Sequence, residues 1–192
     1  MTIADAATGD RVAEAGDRNG GDTAALRAVL GSFASGVTVV TTAVDGWLHG
    51  MTANAFSSLS LDPPLVLVCV RKTARMHGLI ERGGAFAVNI LSEGQEETAR
   101  YFATRGRPAE AEFAAIPHVA GVLGLPLLLG TAGRLECHLH AAHDGGDHTI
   151  YLGLVVQAQA DPHRRPLLYH QGQYVPWPAD DTGGNGQDQQ ER

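Results

Sequence analysis

Lysine is almost absent from this chain. Lys72 is the only one and every other strong cation is arginine, a bias that points to a GC-rich genome and not to a mechanism. Cysteine is scarce too. Cys69 and Cys137 are too few for a disulfide scaffold at this length, and both sit in apolar, strand-like sequence where a reduced thiol acts as a small apolar side chain. No apolar run approaches the roughly 20 residues of a membrane span, and the N-terminus lacks the basic-then-apolar pattern of a secretory signal. The expectation is therefore a soluble, cytoplasmic protein. Positive charge is in deficit: 14 Lys+Arg against 21 Asp+Glu give a net charge of −7, which speaks against nonspecific binding to nucleic acid or to an anionic membrane. No GxGxxG follows a strand and no GxxxxGK(S/T) precedes Lys72, so a Rossmann dinucleotide fold and a P-loop are both excluded. No internal repeat is present.

What is there reads as one folded domain. With 192 residues, 44% hydrophobic and 18% charged, the chain is long and apolar enough for a real core. The expected division is a disordered tail over 1–21, a folded unit over 22–177 and a second disordered tail over 178–192, because both ends lack an apolar period. Asp22 can cap a helix whose apolar face is Leu26, Val29, Leu30 and Phe33, ended by Gly36. Val37 to Val44 is β-branched, and Asp45-Gly46 is a strong hairpin turn into Trp47–Thr52. The polar run after Gly50 leads through Asp62-Pro63-Pro64 into a buried strand, Leu65–Val70. A short helix is expected over 73–82, stopped by Gly83-Gly84, and a strand over 85–91. Ser92 and Gln95 have capping-box spacing for a helix through about Ala103. Residues 105–124 read as loop, 127–142 and 148–160 as long strands around a turn at 143–147, and 167–170 and 173–175 as strands that close the sheet. Strands dominate and the parallel βαβ rhythm is missing, which fits an antiparallel, barrel-like sheet with short helices outside.

The most informative stretch is Gly50-Met51-Thr52-Ala53-Asn54-Ala55-Phe56-Ser57-Ser58. Small side chains let a ligand approach the backbone, and hydroxyls and N–H groups can satisfy a phosphate. On composition alone it reads as an ordinary polar loop between two strands. Taken with Gly36-Val37-Thr38-Val39-Val40-Thr41-Thr42 upstream, and with Phe86-Ala87-Val88-Asn89, Leu135-Glu136-Cys137, Gly146-Asp147-His148 and Leu167-Leu168-Tyr169 downstream, the ordered set resembles the flavin reductase-like family over roughly Leu26 to Tyr174. The resemblance implies a mainly β, FMN-binding split β-barrel, Greek-key-like, usually a homodimer with flavin near the subunit interface. It implies an NAD(P)H-dependent flavin oxidoreductase, with NADH or NADPH as hydride donor and FMN or FAD as acceptor. Reduced flavin would then pass by diffusion to a partner flavin-dependent monooxygenase. Two rival readings are a same-fold flavoprotein that keeps its FMN for another redox reaction, and a nonenzymatic metal- or haem-binding module.

The same resemblance assigns the site. Val37, Thr38 and Val39 would offer backbone groups to the polar edge of the flavin ring. Thr52, Ala53, Asn54 and Ala55 would bond the ring and ribityl chain. Ser57 and Ser58, with Arg71 or Lys72, would hold the phosphate. Asn89 would lie near the flavin, and His148 near the nicotinamide, with Tyr169 in the same pocket. Read as residues alone, Thr38 is a plain strand residue, Asn89 a strand-end amide bonding to the backbone, Arg71 and Lys72 a solvated strand end, and His148 a turn histidine. Cys137, His138, His140, His143 and His148 suggest a metal cluster only superficially, because neighbours along a strand face opposite ways.

Overall fold

The computed structural model describes residues 23–108 and 112–177, so the expected tails and the Asp22 cap lie outside the described residues. Three helices and twelve strands follow in chain order: α1 (Thr23–Gly31), β1 (Ser35–Gly36), β2 (Thr38–Val44), β3 (Trp47–Ala53), β4 (Phe56–Leu61), β5 (Pro64–Arg71), α2 (Arg75–Gly83), β6 (Ala85–Ile90), α3 (Glu96–Ala103), β7 (His118–Ala120), β8 (Pro126–Leu128), β9 (Gly133–Gly145), β10 (His148–Ala160), β11 (Leu168–His170) and β12 (Gln173–Val175).

Seven strands form one antiparallel sheet in the order β3-β2-β6-β9-β10-β5-β4. Val40, Val68, Phe86, Val88, Cys137 and Tyr151, from five different strands, share one core, so the sheet curls around its own inner face. Met51 of β3 and Phe56 of β4 pack against that same core although no ladder joins these two edge strands, which is the geometry of a split barrel. Met76 and Ile80 of α2 complete the core. A second cluster on the outer face joins Val37, Val39, Leu91, Phe102, Phe113 and Leu128. Valines on both faces of β2 are therefore buried, which explains its near-continuous apolar reading.

Local chemistry sets the hairpins. Asp45 and Gly46 both have positive φ (52° and 80°), the conformation a two-residue turn needs to match the strand twist. α2 ends where Gly84 takes φ 64° and returns its N–H to the Ile80 carbonyl. Two register shifts on the β9–β10 ladder, at Leu152/Gly153 and Val155/Gln157, bend the long hairpin.

Several expectations are corrected. α1 ends at Gly31, and Gly36 belongs to β1. The polar run 56–61 is a strand, held by the β5 ladder rather than by its own composition. Residues 127–128 pair in β8 with β7, and β9 begins only at Gly133. Gln95 accepts the Ser92 N–H at 3.0 Å, but the Ser92 hydroxyl donates to the Gly130 carbonyl, so only half of the capping box forms. β11 and β12 join β1 in a separate three-stranded sheet and do not close the large one.

A Cβ built on Gly153 would lie 2.5 Å from the Phe86 ring and 2.7 Å from the Cys137 Cβ, both in the core. Gly153→Ala is expected to destabilise the fold by about 1–3 kcal/mol through overpacking, measured by denaturant unfolding; an unchanged midpoint would show that the core yields there.

Candidate functional site at one end of the barrel

Antiparallel pairing gathers four strand ends. Thr38 opens β2 opposite Ala53, which ends β3, and Arg71 ends β5 opposite His148, which opens β10. The β3–β4 connection, Asn54 and Ala55, is exposed at this same end, and Ala53 is half-buried. The structure thus brings Thr38, Ala53, Asn54, Ala55, Arg71 and His148 to one end of the barrel.

Val37, Thr38 and Val39 form the floor beneath it and do not offer free backbone. The Val37 N–H donates to Leu167 and its carbonyl accepts from Leu91, while Thr38 and Val39 are paired on both sides, to β3 and β6. The Thr38 hydroxyl donates to the Ala53 carbonyl at 2.6 Å. That of Thr52 donates to the Ala99 carbonyl at 2.7 Å, tying β3 to α3.

Ser57 and Ser58 are exposed on β4, opposite Leu67 and Val66. Leu67 is four residues from Arg71, about 13 Å at the usual strand rise, so the serines and Arg71 do not form one compact cradle.

Arg71 and Lys72 share their surroundings with acids. Lys72 Nζ donates to Asp144, and Arg71 lies 3.8 Å from Asp147. His148 Nδ1 is 2.6 Å from Asp147 Oδ1. With Nδ1 facing a carboxylate, Nε2 is the ring nitrogen left for a ligand. The hydrogen bond from His148 holds the Asp147 carboxyl below the usual range, as that from Lys72 does for Asp144.

Two predicted residues serve elsewhere. Asn89 is buried, its Nδ2 donating to the Val39 carbonyl (3.1 Å) and to Thr41 Oγ1 (3.2 Å) while its Oδ1 accepts the Leu128 N–H (2.8 Å), so it staples β8 onto the sheet. Tyr169 sits in the small sheet, edge-on to Tyr174, and lines a recess with Arg100 and Gly172 that His148 does not line. On β9, Cys137 is buried and its thiol is pushed up to about 12 by burial and by the Glu136 charge, whereas His138 and His140 are exposed. Among the described residues no three His, Cys, Asp or Glu side chains gather as a metal site.

Beside this end lies a cleft of about 420 Å³ that sequence reasoning missed apart from Thr52 and Arg71. Its walls include His49, Arg75, Phe102, Arg105 and Arg107. Beneath it, the fully buried Glu112 carboxylate accepts from the Gly50 N–H (3.1 Å) and Arg107 Nη2 (2.8 Å) on Oε1, and meets His49 Nδ1 (2.8 Å) on Oε2. Burial pushes its carboxyl up, but the hydrogen bonds from His49, Arg107 and Gly50 outweigh this and hold it below the ordinary range. Arg107 also donates to the carbonyls of Gly50, Tyr101 and Thr104, and stacks over the rings of Tyr101 and Phe102. Nothing periodic marks Glu112 in the sequence; in a loop-rich stretch a glutamate reads as solvated. The only available signal was the cation-rich spacing Arg105-Gly106-Arg107 before it.

The family described as flavin reductase like domain matches residues 30–178. The chain belongs to that family. An NADH-dependent FAD reductase of Streptomyces globisporus is 45% identical over 155 residues, covering 80% of this chain and 85% of the relative. The reductase subunit HsaB of a flavin-dependent monooxygenase from Rhodococcus jostii (strain RHA1) is 43% identical over 150 residues, covering 78% and 75%. Among solved structures, the Streptomyces globisporus C-1027 NADH:FAD oxidoreductase SgcE6, in complex with NAD and FAD fragments, superposes with a TM-score of 0.78 at 43% identity, covering 83% of this chain and 95% of that one. BorF, the flavin reductase component of a bacterial two-component tryptophan halogenase, gives 0.76 at 43% identity, covering 80% and 97%. The split barrel expected from the sequence is thus the fold of this flavin reductase-like chain and of its neighbours.

Glu112, with its carboxyl held low in the folded state, adds stability above the unfolded value of about 4.3, and that contribution fades as pH falls through the folded value. Glu112→Gln is expected to cost about 1–3 kcal/mol at pH 7, with the gap from wild type narrowing toward pH 3. Urea unfolding at the two pH values checks it; a gap that widens in acid would contradict the assignment.

Proposed function

We propose that this chain is the reductase of a two-component system. NADH or NADPH delivers a hydride to FAD or FMN at this end of the barrel, and the reduced flavin leaves for a partner monooxygenase. Relatives named for NADH and FAD favour that pair of substrates. The observation that carries the reading is a juxtaposition, in a chain of this family. An open run of small residues, Ala53 to Ala55, stands beside a cation and an oriented imidazole, Arg71 and His148.

The residues fit a flat ring. Asn54 and Ala55 are exposed and small, and the buried floor of Thr38 and Val39 beneath them is pinned on both sides by ladders. Such a chain needs no acid–base dyad for hydride transfer, because the two ring systems carry the electronics; the protein stacks them, holds them and excludes water. Thr52, Ala53, Asn54 and Ala55 frame the ring, Ser57 and Ser58 flank it on the edge strand, and Arg71 with Lys72 supplies positive charge. His148, oriented by Asp147, presents Nε2 to the nicotinamide.

A second copy of the chain belongs to this reading. Leu26, Val29, Leu30 and Phe33 of the α1 segment are 57% to 80% exposed, an apolar face that a single chain leaves in water. The two edge strands of the large sheet, β3 and β4, have one unpaired side each. No helix among the described residues is long and apolar enough to cross a membrane. Both cysteines are free thiols, which fits a reducing compartment such as the cytoplasm.

Three outcomes test the reading. Purified protein should oxidise NADH or NADPH only when free flavin is added, and no flavin-dependent oxidation with either nucleotide would refute it. His148→Ala should slow hydride transfer or raise the nucleotide KM about five- to thirtyfold with flavin affinity unchanged, followed by stopped-flow reduction and flavin titration. Light scattering should report a dimer, and Val29→Asp with Phe33→Asp should shift it toward monomer; a wild-type monomer would remove the second copy from the account.

A further inference from the structure

α2 is fixed near both ends before it touches β10. Its first residue, Arg75, is ion-paired with Glu112 at 3.9 Å, and Arg82 in its last turn with Asp45 at 3.7 Å. Between them Met76 and Ile80 are fully buried in the barrel core. Beside that apolar stripe runs a polar one, a single turn long. His77 Nε2 and the Thr149 hydroxyl share a 2.9 Å hydrogen bond, and Glu81 Oε1 lies 3.7 Å from the same nitrogen. The Tyr151 hydroxyl donates to Glu81 Oε1 at 3.0 Å and reaches the His77 carbonyl at 3.2 Å, with its ring tilted against the imidazole at 5.6 Å. Burial and the Glu81 carboxylate push the Tyr151 phenol well up, so it stays a donor. Thr149 and Tyr151 stand two residues apart on β10, on one face, and both are buried.

The apolar stripe already attaches the helix. What a polar contact adds is direction, because a hydrogen bond is satisfied in one register only. That register matters for the residue before Thr149. His148 opens β10, and its rung pairs it with Arg71, the last residue of β5. The turn that precedes it, Gly145-Gly146-Asp147, is exposed and holds two glycines. The end rungs of such a hairpin open most easily. Thr149 is the first residue of β10 whose side chain is tied to a helix. Neighbours on a strand face opposite ways, so holding the Thr149 side chain against α2 sets the direction in which His148 leaves the backbone. The path closes on the other side. The Ala74 N–H donates to the Arg71 carbonyl at 2.9 Å, and the His77 N–H to the Ala74 carbonyl at 3.1 Å. Arg71 and His148 are thus both held relative to the start of α2.

We propose that His77 is a positioning residue for the candidate site: bonded to Thr149, it fixes His148 opposite Arg71, while Glu81 and Tyr151 fix His77. The inference rests on the reductase reading, in which His148 meets the nicotinamide. His77 touches neither ring in this arrangement, and its effect passes through His148. Reactions that depend on orientation respond to small displacements; about 1 Å, set by a residue far from the chemistry, can slow a step about a hundredfold. Loss of one neutral hydrogen bond at this remove releases part of that.

The test follows flavin reduction by NADH or NADPH in the full chain by stopped flow, with a flavin titration alongside. His77→Leu keeps the bulk and loses the bond, whereas His77→Gln sets an amide near the place of Nε2 and keeps it. Thr149→Val is close to isosteric and removes the same bond from the other side, and Thr149→Ser retains the hydroxyl. His77→Leu and Thr149→Val should each slow hydride transfer or raise the nucleotide KM about three- to tenfold with flavin affinity unchanged. His77→Gln and Thr149→Ser should restore most of the loss. The deciding arm is the His148→Ala background, where His77→Leu should add no further loss. A full additional loss there, or wild-type kinetics in His77→Leu and Thr149→Val, overturns the proposal. So does flavin affinity that falls in parallel, the mark of a purely structural role. If His77→Leu does not fold, Thr149→Val in both backgrounds carries the comparison. His148→Ala with wild-type kinetics would also overturn it and leave the reductase reading standing. A wild-type protein without flavin-dependent nucleotide oxidation would fail that reading instead, which separates the two failures.

Discussion

The curl of the seven-stranded sheet depends on one close approach. Phe86 of β6 and Cys137 of β9 occupy the space a side chain would need on Gly153 of β10, and the β9–β10 ladder changes register beside that glycine. A bulge bends its strand and increases the local twist, and a residue without Cβ lets neighbouring side chains close over it. Together they allow Met51 on one edge strand and Phe56 on the other to reach the same core. The convergence of the β2, β3, β5 and β10 ends that forms the candidate site goes with this bend. The site is in that sense a product of the sheet's curvature more than of any one loop.

How much was legible in the sequence divides along the line between local and distant forces. The hairpin at Asp45-Gly46, the stop at Gly84 and the buried strands β5 and β6 are written in neighbouring residues, and they came out where periodicity and turn chemistry put them. β4 is different. Phe56 to Leu61 carries three serines and reads as loop, and it is a strand only because β5 lends it a ladder. Ser92 and Gln95 had the spacing of a reciprocal cap, but the Gly130 carbonyl captured the serine hydroxyl from 38 residues away. Arg71 and His148, which the family resemblance proposed for the site, pair across β5 and β10. Asn89 belonged to the same motifs, yet its amide is spent on Val39, Thr41 and Leu128, a commitment that only the fold reveals.

Two buried carboxylates were equally invisible, and they work alike. Glu136 accepts the N–H groups of Val122 and Leu123, both at 2.9 Å, and a Cβ on Gly121 would lie 2.3 Å from its oxygens. Glu112 does the same for Gly50 while also taking Arg107 and His49. An ionised group removed from water is costly unless its lone pairs are filled, so each carboxylate dictates the path of the backbone that fills them. Segments without regular structure of their own acquire a fixed course over the barrel, and one of them becomes a wall of the cleft.

The single lysine has a practical consequence. Lys72 sits just past the end of β5, next to Arg71, paired with Asp144 at the β9–β10 turn and exposed. No other side chain in the sequence carries a primary amine. Any amine-directed reagent that reacts with a side chain must therefore land on the rim of the barrel end. A fluorophore coupled there would report on that end of the barrel, and a surface tethered there would cover it.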